Sequence, residues 1–198
     1  AVRCEGLRQE VFSSGRPPLV FGEPQQWVVL MVEALKLDAE GHHAQAKLLR
    51  DQAFEEAPAT SGSVTTNDEE SVEFSWLADA DTRLGPVIEA IINGRYYWVP
   101  MSCITTVHVE APEDLRDLVW MPAHFTWTNG GDTVGLIPTR YPQSESSEDP
   151  LIRMSRKTEW SEGVEGSYSG LGQRLLATDS LDYSLMDIRT INLNNSEI

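Results

Sequence analysis

Residues 113–142 read EDLRDLVWMPAHFTWTNGGDTVGLIPTRYP, and this stretch decides how the rest of the chain is interpreted. The pair Asn129-Gly130 separates two apolar runs, which is the strongest short-range signal for a β-hairpin. The predicted arms are residues 123–128 and 132–138. Because Gly131 follows directly, a type I′ turn and a bulged turn are both allowed. Two strands alone are only marginally stable in water, so the hairpin needs a sheet or a helix to pack on.

The residues before this hairpin region predict helices at the N-terminal end of the chain. Residues 1–14 read as a helix or the end of one, a second helix begins near Pro24, and a third spans about 42–57. Small and large residues in the last two follow the spacing of a tetratricopeptide (TPR) unit, at Ala34, Leu37, Gly41, Ala46, Ala53 and Pro58. A generic helical hairpin uses the same packing and stays open as an alternative. Because one such unit cannot bury its own faces, we expect upstream sequence to precede residue 1.

From residue 72 the pattern changes to β. Residues 61–71 are small, polar and acidic, which is typical of a linker. Strands are predicted at 72–76, 95–99, 104–109, 151–160, 175–178 and 185–193, with a short helix at 82–92. The predicted fold class is α+β. It consists of a TPR-like helical region (1–60), a linker (61–71) and a mostly antiparallel β-rich domain (72–198).

Charge is the outlying property of the composition. The 198 residues contain 15 Lys+Arg and 31 Asp+Glu, a formal net charge of −16. This balance argues against nucleic acid or an anionic membrane surface as partner, because phosphate binding requires a basic face. A basic protein partner and a purely solubilising role both fit the acidity. Two cysteines, Cys4 and Cys103, are too few for a disulfide scaffold. Together with the absence of a long apolar run, they predict a cytoplasmic protein.

The sequence contains few groups that indicate catalysis or metal binding. Asp79 and Asp81 alternate as in some carboxylate metal sites, but no calcium-loop pattern follows. Capping of the predicted helix at 82–92 explains them more simply. None of the four histidines has a zinc-site spacing, and the Gly-rich run 163–172 lacks the lysine of a phosphate loop. We therefore predict no cofactor and no catalytic group, with one alternative: a small metal-dependent hydrolase in which Asp79, Asp81 and His124 converge.

Aromatic residues concentrate in the β-rich part, some of them near arginines. Core packing is the default role for most of them. Trp, Tyr and Arg are also the residues that most often anchor protein interfaces. The predicted partner-binding set consists of the aromatic residues Trp98, Trp120, Phe125, Trp127 and Tyr141, with Arg95, Arg116 and Arg140 as polar orienters.

Several long segments carry a resemblance to a known family. They are FEEAPAT (54–60), ADADTRLGPVIEAIINGRYYWVP (78–100), PEDLRDLVWMPAHFTWTNGG (112–131), VGLIPTRYP (134–142), RKTEW (156–160) and LGQRLLATD (171–179). In these segments the chain resembles the ImpE family, also called the SciE or TagJ type, of bacterial type VI secretion accessory proteins. The resemblance implies a non-enzymatic cytoplasmic component that binds the N-terminal segment of the small contractile-sheath subunit, TssB, with a link to sheath recycling by the ClpV ATPase. The resemblance assigns no functional role to any individual residue of this chain.

The leading hypothesis is therefore an adaptor with a groove for an amphipathic partner helix, read through apolar anchors at helical spacing. The hydrolase described above is the alternative from a different functional class. A third hypothesis is that the β-rich part only stabilises the helical layer and binds nothing itself.

Overall fold

The computed structural model describes residues 1–68 and 70–195. Its helices are α1 (Val2–Ser14), α2 (Gln26–Ala39), α3 (His43–Glu56) and the single-turn α4 (Pro150–Arg153). The strands are β1 (Leu19–Val20), β2 (Gly62–Thr66), β3 (Ser71–Phe74), β4 (Leu77–Asp79), β5 (Val87–Ile92), β6 (Arg95–Pro100), β7 (Ile104–Val109), β8 (Trp120–Trp127), β9 (Asp132–Pro138), β10 (Thr158–Glu162), β11 (Tyr168–Gly172), β12 (Leu175–Thr178), β13 (Asp182–Ser184) and β14 (Ile188–Leu193).

One large mixed sheet dominates the fold. Its nine strands have the order β1-β6-β5-β9-β8-β7-β14-β2-β3, and a three-stranded sheet, β13-β12-β4, and the ribbon β10-β11 accompany it. The pairing of β1 with β6 is parallel, whereas the other pairings are antiparallel. Consecutive strands are neighbours in β2–β3, β5–β6 and β7–β8–β9, whereas the last strand, β14, lies between β7 and β2. The few helices attach to this sheet.

The predicted fold class, an α+β protein with a TPR-like helical part, is wrong. The structure is mainly β, and α2 and α3 do not form a TPR-like unit. The buried side of α2 (Trp27, Met31) shares one apolar cluster with β-strand residues Ile91 and Trp98, so it packs on the sheet and not on a further helical repeat. The small residues that suggested a repeat, such as Ala34 and Ala46, are fully buried. Small residues permit close approach in any helical hairpin, so their spacing does not distinguish a TPR unit from other helix pairs.

The central hairpin is confirmed. Strands β8 and β9 pair from Trp120↔Pro138 to Thr126↔Asp132. The Trp127 N–H donates to the Gly131 carbonyl (2.9 Å) and the Gly130 N–H to the Trp127 carbonyl (2.9 Å). Gly130 has φ 78°, which identifies a three-residue loop with a glycine bulge instead of a two-residue type I′ turn.

Three segments differ from their predicted local structure. Residues 82–92, predicted as a helix, form a turn and then β5, because VIEAII is buried along its whole length and a run that is apolar except for Glu89 suits a strand covered on both faces. Residues 151–160 begin in α4 and end in β10 instead of forming one strand. Within residues 61–71, β2 pairs with β14 and β3 inside the large sheet.

The large sheet is covered on both faces near β5. Alternate residues of a strand point to opposite faces, and here Ile88, Ala90 and Ile92 join the cluster that contains Leu176 and Leu185. Val87 and Ile91 face the other way, into the cluster formed with α1 and α2. The N-terminal helices and the sheet thus share one core. Among the described residues, no helix is long and apolar enough to cross a membrane.

Candidate functional site

The aromatic residues predicted to bind a partner are mostly core residues. Trp98, Phe125 and Tyr141 are 0% exposed and Trp127 is 4% exposed. The Phe125 and Trp127 rings stack at 5.2 Å inside one core cluster, whereas Trp98 lies in the other. Trp120 is half-buried, and its Nε1 donates to Glu5 Oε2 of α1 (3.0 Å). Of these five aromatic side chains, only Trp120 is partly exposed to solvent, so the five rings do not form a common binding surface.

The three predicted arginines are also dispersed. Arg95 is exposed at the start of β6. Arg116 is exposed in the loop before β8, where its Nη2 lies 3.1 Å from Asp117 Oδ1. Arg140 is half-buried, and its Nη1 donates to the Arg153 carbonyl (2.7 Å). Arg116 and Arg140 thus already have local partners.

The three residues of the alternative hydrolase site lie in different environments. Asp79 and Asp81 are buried, and their carboxylates are engaged by Arg174 (2.5 Å) and Arg83 (2.5 Å). His124 is exposed on β8, with Nε2 2.8 Å from Glu110 Oε1. The structure does not bring these residues into one cleft, and the described residues include no group of three or more His, Cys, Asp or Glu side chains arranged to hold a metal ion.

Asp79 belongs instead to a buried ionic network centred on Glu89. The Arg8 guanidinium of α1 donates to both Glu89 oxygens (2.7 and 2.9 Å). Arg174 donates to Glu89 and to Asp79, and the Tyr96 hydroxyl donates to Glu89 (2.5 Å). Two buried arginines therefore face two buried carboxylates, and the half-buried Glu5 binds Arg8 as well (3.0 Å).

Burial and pairing set the pKa values in this network. Burial alone would raise the pKa of Glu89, but Arg8 and Arg174 outweigh it and lower the pKa to about 2. Burial raises the pKa of Asp79 to about 7, because it outweighs the attraction of Arg174. Such shifts also mark catalytic groups. Here all four side chains are fully enclosed and engaged with each other, so the network's evident role is to tie α1, β5 and β4 together.

A polar cleft of about 430 Å³ lies between the helices and the β10–β11 ribbon. Its charged residues are already paired: Arg50 with Asp38, and Arg83 with Asp81. Burial lowers the pKa of Arg50 to about 10. The cleft therefore contains no free charged constellation that indicates a reaction.

An apolar groove of about 440 Å³ lies at the C-terminal end of α3. Four parts of the chain contribute to its walls: the end of α3 with the segment that follows it, strand β4, the turn before β5, and strand β12. Phe54 and Trp76 stand at this groove with 38% and 40% of their surface exposed. The lining residues are Phe54, Ala57, Pro58, Ala59, Thr60, Trp76, Leu77, Ala78, Asp79, Ala80, Thr82, Gly85, Pro86 and Ala177. We call this site the α3–β4 groove.

Local contacts hold the walls of the α3–β4 groove in place. A Cβ added to Gly85 would lie 2.4 Å from Phe54 Cε1, and Gly85 has φ +51°, so glycine is required under the phenyl ring. The Asp79 N–H donates to the Gly85 carbonyl (2.6 Å). Beside Trp76, the Ser75 N–H donates to Asp179 Oδ1 (2.9 Å). The groove is therefore preformed, and its two large rings face solvent on a fixed scaffold.

Sequence reasoning missed the α3–β4 groove. The sequence predicts Phe54 on the third helix and Trp76 at the end of the strand 72–76. Both segments are visible in the chain, as FEEAPAT and as the residues before ADADTRLGP. Their meeting depends on how α3 packs beside β4, which periodicity within each segment does not predict.

Comparisons with known proteins agree with the resemblance seen in the sequence. Residues 71–192 match the family described as ImpE protein. The type VI secretion system accessory component TagJ of Pseudomonas aeruginosa is 48% identical over 199 residues, which covers 100% of this chain and 67% of TagJ. The crystal structure of protein VPA1032 from Vibrio parahaemolyticus is similar with a TM-score of 0.83 and 24% identity, over 97% of this chain and 70% of that one; this second likeness concerns the fold alone.

The match to ImpE covers more than half of the chain, and the identity to TagJ extends over all of it. The resemblance inferred from the sequence segments is confirmed: this chain belongs to the ImpE family.

Proposed function

We propose that this chain is a non-enzymatic, cytoplasmic accessory protein of bacterial type VI secretion that binds the N-terminal helix of the small contractile-sheath subunit, TssB. Its similarity to the accessory component TagJ supports the general role. The observation that carries the binding proposal is the α3–β4 groove, which is open, lined mainly by apolar side chains and flanked by two exposed aromatic rings.

The shape and chemistry of the groove suit a helical partner. An amphipathic helix inserts apolar side chains at spacings of three and four residues into a hydrophobic groove. A volume of about 440 Å³ accommodates a few such side chains. Phe54 and Trp76 are large rings with few rotatable bonds, so they contribute contact area at a low entropic cost.

A binding measurement tests this proposal. A fluorescent peptide with the sequence of the sheath subunit's N-terminal segment is titrated with wild type and with Trp76→Ala, and anisotropy gives Kd. Because a tryptophan anchor typically contributes 2 kcal/mol or more to binding, we expect Kd to rise about 30-fold or more. Trp160→Ala is the matched control, since Trp160 is 41% exposed and lies outside the groove; it should bind as wild type does.

Trp120, the one half-buried ring of the predicted aromatic set, gives the competing location. Trp120→Ala changes the junction between α1 and β8, far in sequence from the groove. If Trp120→Ala abolishes peptide binding while Trp76→Ala leaves it unchanged, the peptide binds at that junction and the groove assignment is wrong. Thermal unfolding of every variant shows whether lost binding reflects lost folding.

A further inference from the structure

The C-terminal end of α3 carries negative charge that no basic residue of its last turn compensates. The helix ends in Glu55-Glu56, both exposed, and its last turn contains no basic residue. A helix C-terminus is the negative end of the helix dipole, and its last carbonyls lack partners within the helix. Lysine or arginine is the favourable residue there, so two glutamates make this end locally unfavourable.

This negative end lies directly at the α3–β4 groove. Phe54 precedes the two glutamates, and Ala57, Pro58 and Ala59, which follow them, line the groove. At another edge, Asp179 accepts the N–H of Ser75, the residue before Trp76. Asp179 is exposed, so acidic groups flank both aromatic rings.

No cation of the groove itself offsets these acids. The lining contains no lysine, arginine or histidine among the described residues. Its one charged member, Asp79, is buried and paired with Arg174. An apolar groove with an acidic rim is complementary to an apolar surface with a basic rim.

We propose that the α3–β4 groove selects an amphipathic helix whose apolar face is flanked by lysine or arginine, with one cationic side chain placed at the C-terminal end of α3. This inference rests on the proposed function and adds the charge pattern that the partner segment requires. The apolar face supplies most of the affinity, and the basic flank sets the orientation of the helix and the salt dependence of association.

The test replaces charge without changing shape. The full chain carrying Glu55→Gln and Glu56→Gln is compared with a control carrying Glu33→Gln and Glu113→Gln, two exposed glutamates outside the groove lining. Both variants change the net charge by the same amount. The probe is the labelled N-terminal peptide of the small sheath subunit, measured at about 50 mM and about 500 mM salt, together with the same peptide with each lysine and arginine changed to glutamine.

We expect the Glu55/Glu56 variant to bind the peptide about three- to ten-fold more weakly at low salt, and the difference to shrink at high salt. The control should bind within about two-fold of wild type, because dissolved salt screens the interaction between the peptide and surface charges far from the site. The glutamine-substituted peptide should bind wild type more weakly and lose its preference for wild type over the Glu55/Glu56 variant.

Two outcomes separate failure of this inference from failure of the proposed function. If the peptide binds, Trp76→Ala weakens it, and the Glu55/Glu56 variant binds as its control does, the groove is the site and the charge inference is wrong. If the peptide does not bind wild type at either salt concentration, the proposed function is wrong and the inference falls with it.

Discussion

Replacing Glu89 with glutamine tests the buried ionic network. Glu89 is fully buried and compensates Arg8 and Arg174 at once. Glutamine keeps the shape and removes the charge, which leaves Arg174 with Asp79 and Arg8 with the half-buried Glu5. Removing one partner of a buried ion pair costs about 3–5 kcal/mol. Because both arginines lose the carboxylate that they share, we expect the upper part of that range, about 4–5 kcal/mol.

The measurement is urea unfolding followed by tryptophan fluorescence at pH 8, where Asp79 is ionised. For a protein of this length the expected loss corresponds to a fall in Tm of roughly 10–20 °C. Glu10→Gln is the matched control, because Glu10 lies on α1 and pairs with Arg16, which follows the helix, with both side chains 53% exposed. An exposed pair contributes at most about 1 kcal/mol.

A double variant separates loss of charge balance from loss of packing. Arg8→Met combined with Glu89→Gln removes one charge of each sign and leaves Arg174 with Asp79. We expect this double variant to lose less stability than the sum of the two single losses, by about 2 kcal/mol or more. If Glu89→Gln costs less than about 1 kcal/mol, or if the two losses simply add, the charges of the network are not coupled and our description of it is wrong.

Three further predictions follow from individual residues. The pKa of Asp79 is raised to about 7, and the pKa of Glu89 is lowered to about 2. Glu89 therefore stabilises the fold above its ordinary pKa, and this stabilisation is lost as pH falls towards 2. Asp79 stabilises the fold at low pH, and this stabilisation is lost as pH rises through 7. Urea titrations should accordingly show wild type losing about 2–3 kcal/mol between about pH 5 and pH 8, and Asp79→Asn should remove that slope; an equal slope in both proteins would contradict the assignment. Gly170→Ala should destabilise by about 1–3 kcal/mol in thermal unfolding, because the added Cβ would lie 2.3 Å from the Tyr141 ring; no loss would show that the ring can move aside. Gly6→Ala, in an open position within α1, should instead stabilise by about 0.5–1 kcal/mol, and a loss there would mean that α1 does not lie as described.

Local chemistry explains which parts of the fold the sequence predicts. The hairpin of β8 and β9 is predictable because Asn129 and Gly130 specify a turn within a few residues. The β6 and β7 strands are equally visible from their β-branched and aromatic residues. The overall fold class is not predictable in this way. Ala34, Ala46 and Ala53 allow two helices to pack closely, but they do not indicate what the outer face of the helix pair contacts.

The sequence contains one indication of the buried ionic network. Glu89 is the one charged residue in the apolar run VIEAII, so a partner cation is required if that run is buried. The sequence does not say which cation, since Arg8 and Arg174 lie 81 and 85 residues away. Most rings of the predicted aromatic set are buried for a related reason. Cores and interfaces favour the same aromatic residues, and only the packing of the folded chain shows that Phe125 is buried whereas Trp76 is exposed.

The most direct test of the proposed function is amide hydrogen exchange of the full chain with and without the sheath subunit's N-terminal peptide. We predict slowed exchange in residues 54–60, 76–80 and 85, which contain most of the residues that line the α3–β4 groove, and unchanged exchange around the hairpin turn at 128–131. Protection confined to the α1–β8 junction, or none anywhere at a saturating concentration of peptide, would contradict the assignment of the groove as the docking site.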